Sequence, residues 1–266
     1  MEMLQRLRSV DIYNWMIGVL AVLTVSGLYS FYSSGFASTI PGALAQVAAT
    51  VVIALLVDTM IIRFTEKKWR LSKSAIITGF FVGTIFSPLP DVTIPIIGAV
   101  IAIVQKRVIR LNNRPIFNPA SFGLVLAGLL FAADHGWWAA AVLPAVIIFG
   151  LFIVVVFGRL HLVAPYLLAY WALSGVMILL GLRAGLLENI IVDGTMLFFS
   201  FLMLVEPRTS PSVRKGRIVY GVIAGVLAAV LIALNVPYFV PLNLLIANLF
   251  TRPLERLLKP RAKASP

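Results

Sequence analysis

The chain of 266 residues contains no cysteine. It therefore carries no disulfide, no thiolate metal ligand and no cysteine-held iron–sulfur cluster of its own. Redox chemistry in such a chain requires a bound organic cofactor. Histidine is nearly as scarce: His135 and His161 are the only two, and neither has a carboxylate at ligand spacing, so a shared metal site is not expected. There is no P-loop, no HExxH and no Ser-His-Asp arrangement, which argues against hydrolytic chemistry. Charge is thin as well. Only 12% of residues are charged, against about 25% in soluble domains. Acids are the scarcer sign, with 10 Asp and Glu beside 22 Lys and Arg, a net charge of +12. The cations come in short blocks between apolar runs, with no polar domain to hold nucleic acid, so nucleic-acid binding is not expected.

What is present is hydrophobic sequence: 61% of residues, with a mean hydropathy of +1.01. That composition excludes a soluble globule and predicts an all-α polytopic membrane protein, a single integral membrane domain over 1–266. Ten apolar segments are expected, near 14–32, 40–62, 74–87, 91–105, 118–133, 137–157, 162–181, 190–205, 218–234 and 237–250. Of the 22 Lys and Arg residues, Arg183 alone falls in an odd-numbered loop. Arg6 and Arg8, the Arg63–Lys73 block, the Lys106–Arg114 block, Arg159, the Arg208–Arg217 block and the tail from Arg252 to Lys263 all fall on the other side. The positive-inside rule then puts both termini in the cytoplasm and the chain in the inner membrane, its basic loops facing anionic lipid.

Two segments are too short to cross, since a span needs about 20 helical residues. Segment three (Ser74 to Ser87) and segment eight before Glu206-Pro207 occupy equivalent places in halves 1–133 and 134–266. FFVGTIFSP (Phe80 to Pro88) resembles FSFLMLVEP (Phe199 to Pro207) in shape, and each precedes a Gly-punctuated helix. The separation of five segments predicts a 5+5 inverted repeat with broken helices three and eight, and a site between the halves.

The most structured polar stretch is NNRPIFNPASFG, Asn112 to Gly123. Asn118 suits a helix N-cap and Pro119 the first helical position. A helix start at the membrane boundary offers free N–H groups to a polar or anionic ligand. Asn118, Pro119 and Ser121 are therefore candidates for a ligand contact or for capping alone; Asn113 and Arg114 just upstream can reach the same spot, Arg114 with a fork suited to phosphate. Glu206 and Thr209 follow the end of segment eight, where Pro207 frees carbonyls and a carboxylate for a ligand or ion. Asp58 is the one acid well inside an apolar run, and such acids are expensive and usually face a polar interior. It is a candidate to bind a proton or sodium, or to pair with Arg63. Asp193 reads as a cap for segment eight, Thr78 and Thr84 as side chains bonded back to their own helix, and Trp137 and Trp138 as an interfacial anchor.

Three stretches together resemble a known family. SAIITGFFVGTIFSPLP (Ser74 to Pro90), IFNPASFGLVL (Ile116 to Leu126) and FLMLVEPRTSPSVRKGRIVYGVIAGV (Phe201 to Val226), followed by LLIANLFTRPLE (Leu244 to Glu255), are similar to the B subunit of the sodium-translocating NADH:quinone oxidoreductase and the D subunit of the Rnf electron-transport complex (NqrB/RnfD). The resemblance implies a ten-helix inverted-repeat protein that holds flavin and passes electrons inside a redox-driven ion pump. It implies cofactor contacts at Asn113, Arg114, Asn118, Pro119, Ser121, Glu206, Thr209 and Tyr220, and proton or ion candidates at Asp58 and Glu206. Family members usually have Asp-Pro where Glu206-Pro207 stands. The long family insert that carries covalently linked FMN has no counterpart here, because Phe131 leads straight through Ala-Ala-Asp-His-Gly to Trp137. A flavin here, FMN or riboflavin, is expected to be non-covalent, and a chain without flavin stays open as the alternative. Partners would be the lipid bilayer, other subunits of a redox complex, or a soluble flavin reductase anchored through the basic tail. The same broken-helix repeat also suits a different class, a small-solute or ion channel or transporter without redox activity, with a path lined by Asn118, Asn243 and Asn248.

Overall fold

A computed structural model of the protein describes residues 7, 9–88, 91–183 and 187–258. Arg6, Arg8, Pro90, Lys259, Arg261 and Lys263 lie outside the described residues. The ten apolar segments become ten helices: α1 (Ile12–Ser33), α2 (Ile40–Glu66), α3 (Lys73–Ile85), α4 (Thr93–Val108), α5 (Pro119–Phe131), α6 (Leu143–Val156), α7 (Leu160–Leu179), α8 (Gly194–Phe198), α9 (Arg214–Ala233) and α10 (Phe239–Leu258). A five-residue helix, Leu187–Ile191, precedes α8. Helices α1, α7, α9 and the unit Ala37–Glu66 are long and apolar enough to cross a membrane; α3, α5 and α6 are apolar but shorter. The protein is a multi-pass membrane protein of all-α class.

Local chemistry explains the ends. Asp11 caps α1 by accepting the Tyr13 N–H at 3.1 Å, and its carboxyl is held below the ordinary range, chiefly by the Lys73 ammonium at 2.7 Å. Asp193 caps α8 through Thr195 N at 2.8 Å and Met196 N at 3.2 Å, as read from the sequence. Thr78 and Thr84 do bond back, to the carbonyls of Ser74 and Phe80.

Helix α5 is the axis of the arrangement. It packs on α4 on one side and α10 on another. The α4 contact closes backbone to backbone at Gly98 and Gly123, where a Cβ on Gly123 would meet the Gly98 carbonyl. At the start of α5, side chains and loops from α8 and α10 converge; at its other end, Gly128 accepts from the Tyr238 hydroxyl at 2.9 Å. Between the two ends runs one core cluster, with Leu124, Ala127, Phe198, Phe199, Tyr166 and Tyr220 among its buried members.

Trp137 and Trp138 depart from the sequence expectation. Both are buried, 9% and 4% exposed. Trp138 packs on Phe31 at 5.7 Å and presses against the notch left by Gly27. A short 3-10 turn, Trp138–Ala140, follows before α6 begins; Trp138 thus holds α1 to the bundle, and Trp137 packs edge-on against Phe198 at 6.0 Å.

Candidate functional site

Both short helices break where expected, and at opposite ends of α5. Helix α8 widens into a π turn over Phe199–Met203, with Leu204 N donating to Phe199 O at 3.0 Å, and the chain leaves it through Val205, Glu206 and Pro207. Such π turns are frequent at functional sites. Pro207 cannot continue the helix, so the carboxylate of half-buried Glu206 turns into the bundle.

There it meets the start of α5. Every polar group of Asn118 is committed to a neighbour: Oδ1 accepts from Ser121 N at 3.0 Å, Nδ2 donates to Glu206 Oε2 at 2.6 Å, its backbone N–H donates to Asn248 Oδ1 at 2.7 Å, and its carbonyl accepts from Phe122 N at 3.1 Å. The expected cap is thus present, with Pro119 at the first helical position. Asn248 in turn donates to the Tyr220 hydroxyl at 2.8 Å and to the Thr209 carbonyl at 3.2 Å. Thr251 donates to the same carbonyl at 2.6 Å, and Thr209 Oγ1 lies 3.5 Å from Glu206 Oε2. Asn118, Ser121, Glu206, Thr209 and Tyr220, taken from two separate stretches, therefore meet in one cluster. Asn248 links them; the sequence brought it forward only as a pore-lining residue, and Thr251 not at all. The available signal was an amide standing in the apolar run LLIANLF. Burial pushes the Glu206 carboxyl up, against the pull of Arg208 and Lys106 and of its bonds to Thr209 and Asn118. The Ser121 hydroxyl is buried without a hydrogen-bond partner.

Two spaces adjoin the cluster. A cavity of about 30 Å³ lies against Asn118, Glu206, Ser74, Thr78 and Tyr13. Beyond Pro207 opens a cleft of about 1020 Å³ walled by the ends of α2 and α4, by the loop after α8 and by a hairpin. That hairpin pairs β1 (Arg110–Leu111) with β2 (Arg114–Pro115), and Asn112 and Asn113 turn it at φ 51° and 59°. Both central residues at positive φ make a type I′ turn, for which Asn is suited. This hairpin was not foreseen from the sequence, although Asn-Asn was its signal. Asn113 and Arg114 line the cleft, away from the Asn118 cluster.

Asp58 is fully buried, and its partners are Lys106 at 3.3 Å and Arg107 at 2.8 Å. The suggested partner, Arg63, instead stands over the Trp69 ring at 5.6 Å. Residue 63 leaves α2 one residue past the facing position, and α4 delivers its two cations directly. Lys106 also donates to Ser74 Oγ at 2.7 Å, which brings the ion cluster to the wall of the small cavity.

At the other end, the break after α3 is closed by backbone. Gly136 N and Trp137 N donate to Ile85 O, Ser87 N donates to Asp134 O, and the Gln46 amide donates to the carbonyls of Gly83 and Phe86. His135 lies between Phe86 and Tyr238, at 5.1 and 4.8 Å, and burial brings its pKa down to about 4. Among the described residues, no group of three His, Cys, Asp or Glu is arranged to hold a metal.

Broken apolar helices, a buried polar cluster at one break and a basic cleft beside it define a polytopic membrane protein with a ligand-sized site at one end of its bundle. The model of the NQR2, RnfD, RnfE family matches residues 6–146 and 134–264, and the chain belongs to that family, whose members are membrane subunits of ion-translocating redox complexes. No curated protein matches the chain.

Proposed function

We propose that the protein is the flavin-binding electron-transfer subunit of a redox-driven ion pump, working with other subunits of such a complex. The observation that carries this reading is the meeting of Asn118, Glu206, Thr209 and Tyr220 in one cluster that adjoins a cleft of ligand size. The small cavity has room for about one water and not for an isoalloxazine. The cleft, about 1020 Å³, stands at the upper end of the about 300–1,000 Å³ usual for ligand pockets. Its wall combines apolar Ile61, Val104, Pro115 and Pro207 with the donors of Asn113 and Arg114, a lining that fits a flat apolar ring with a polar tail. A flavin bound there supplies one- and two-electron chemistry. The chain's own residues orient it: Asn113 and Arg114 touch it, while Asn118, Pro119, Ser121, Thr209 and Tyr220 fix the start of α5 and the loop that carries Pro207. Glu206, with a raised carboxyl pKa beside Lys106 and Arg208, is the group that takes up a proton or ion, and Asp58 holds Lys106 in place.

The halves 1–133 and 134–266 form a 5+5 inverted repeat in this reading, with both termini in the cytoplasm. Its support is the pairing pattern, in which α2 packs on α4 and α4 on α5, as α7 packs on α9 and α9 on α10. Protein purified in mild detergent is expected to show flavin absorbance and to release non-covalent flavin on denaturation. Asn118→Ala is expected to lower the flavin content. Flavin-free protein from a flavin-replete host overturns the proposal.

One observation favours the transport alternative: Asn243 is fully buried and neither atom of its amide has a partner. Uptake of a small solute by proteoliposomes without any electron donor, abolished by Asn243→Leu, would favour a solute path.

A further inference from the structure

Six cations line the cleft: Arg70, Lys106, Arg107, Arg110, Arg114 and Arg208. Three are balanced by carboxylates. Lys106 and Arg107 share Asp58, Arg107 also lies 3.4 Å from Glu66, and Arg70 lies 3.9 Å from the same Glu66. Arg110, Arg114 and Arg208 have no carboxylate within ion-pair distance among the described residues; Arg208 stands over the Tyr13 ring at 5.8 Å. Three guanidiniums without an ion-pair partner in one concavity focus a field that favours an anion, and Arg208 also pulls on the Glu206 carboxyl from beyond ion-pair distance. Their placement is built. The type I′ turn fixes the hairpin, Ile116 N extends its ladder to Ile109 O at 3.2 Å, and Arg252 ties Leu111 O to α10. The lining also carries apolar Ile61, Val104 and Val108, the two valines 41% and 73% exposed.

We infer that Arg110, Arg114 and Arg208 form a site for a phosphate ester, whose body lies along Ile61, Val104 and Val108. Guanidinium forks match phosphate oxygens in pairs. Two sources offer this chemistry: the phosphate of FMN, an arm that rests on the flavin reading above, and the headgroup of an anionic phospholipid entering past Val108. If the source is flavin, the cleft takes FMN and discriminates against riboflavin.

The test titrates the purified full-length protein with FMN and with riboflavin, and measures by native mass spectrometry whether it retains phosphatidylglycerol over phosphatidylcholine from mixed nanodiscs. FMN is expected to bind at least about tenfold tighter than riboflavin. Replacing all three arginines by Gln is expected to bring FMN to the level of riboflavin. Arg114→Lys, which keeps the charge and loses the fork, serves as the milder variant and is expected to weaken FMN alone. Equal binding of the two flavins without retention of phosphatidylglycerol overturns the phosphate site and leaves the flavin reading standing. Retention of phosphatidylglycerol that the triple variant abolishes, with no flavin bound at all, overturns the flavin reading and supports the phosphate site. Binding of neither ligand overturns both.

Discussion

The breaks after α8 and after α3 solve the same problem with different means. Each leaves backbone carbonyls without helical partners inside an apolar bundle, where every such group must be satisfied internally. The α3 break closes with backbone donors from 134–137 and the single amide of Gln46. At the α8 break Asn248 and Thr251 donate to the Thr209 carbonyl, and a carboxylate, a second asparagine, a second threonine and a tyrosine are bonded to one another or to Asn248 around them. The economical closure shows what structure alone requires. Under the proposed function, the surplus of polar chemistry at the other serves the bound flavin.

The two breaks also carry titratable groups that burial displaces in opposite directions. Folding raises the pKa of Glu206, so its contribution is fully present below the ordinary carboxylate value and is lost as pH rises through the raised one. His135 is a base whose pKa falls from 6.5 to about 4. The unfolded chain then binds the extra proton, and stability falls as pH drops from 6.5 toward 4.

The largest expected effect lies beside the polar break. Asp58→Ala leaves Lys106 and Arg107 buried without their acid, and breaking a buried pair typically costs about 3–5 kcal/mol; a large fall in the detergent melting temperature checks it, and an unchanged one refutes the ion cluster. Next, Asn118→Ala and Gln46→Ala compare the breaks directly. Each leaves buried partners unpaired, at about 1–3 kcal/mol, but only Asn118→Ala is expected to reduce bound flavin as well. Equal flavin content in the two variants would erase the distinction between the breaks. Smaller is His135→Phe, which is expected to flatten the stability loss between pH 6.5 and about 4 while leaving stability at neutral pH nearly unchanged. Smallest at fixed pH is Glu206→Gln. It keeps an acceptor for Asn118 and removes the charge, so stability at fixed pH should change by about 1 kcal/mol, with loss of the opposite pH slope. A melting curve whose pH dependence survives this change assigns the slope to another group.

Much of this was legible beforehand because membrane insertion leaves strong one-dimensional marks. Apolar runs and their basic punctuation placed all ten helices, and Pro88 and Pro207 marked the two breaks. Asn118 was legible as a cap because Asn-Pro before an apolar run has few other uses. Its bonds to Glu206 and Asn248 were not legible, since they depend on how α5, α8 and α10 meet. Trp137 and Trp138 were misread for the same reason: an interfacial belt and an inward-folded turn look alike until Gly27 on α1 supplies the notch. The pairing of Asp58 failed because the sequence suggests neighbours on its own helix, and its cations arrive from α4.

The bonds of Asn118 span 88 residues to Glu206 and 130 to Asn248. During synthesis, then, the start of α5 enters the membrane long before either partner exists. Its amide must wait, hydrated or lent to other groups, until the last helix is released from the ribosome. The cluster is thereby a record of completed insertion: a chain stopped short of α10 has every earlier helix and still lacks the closed site. Quality-control proteases that sense unsatisfied polar groups in the bilayer would find such a chain open at the start of α5, where Asn118 lacks its Asn248 partner.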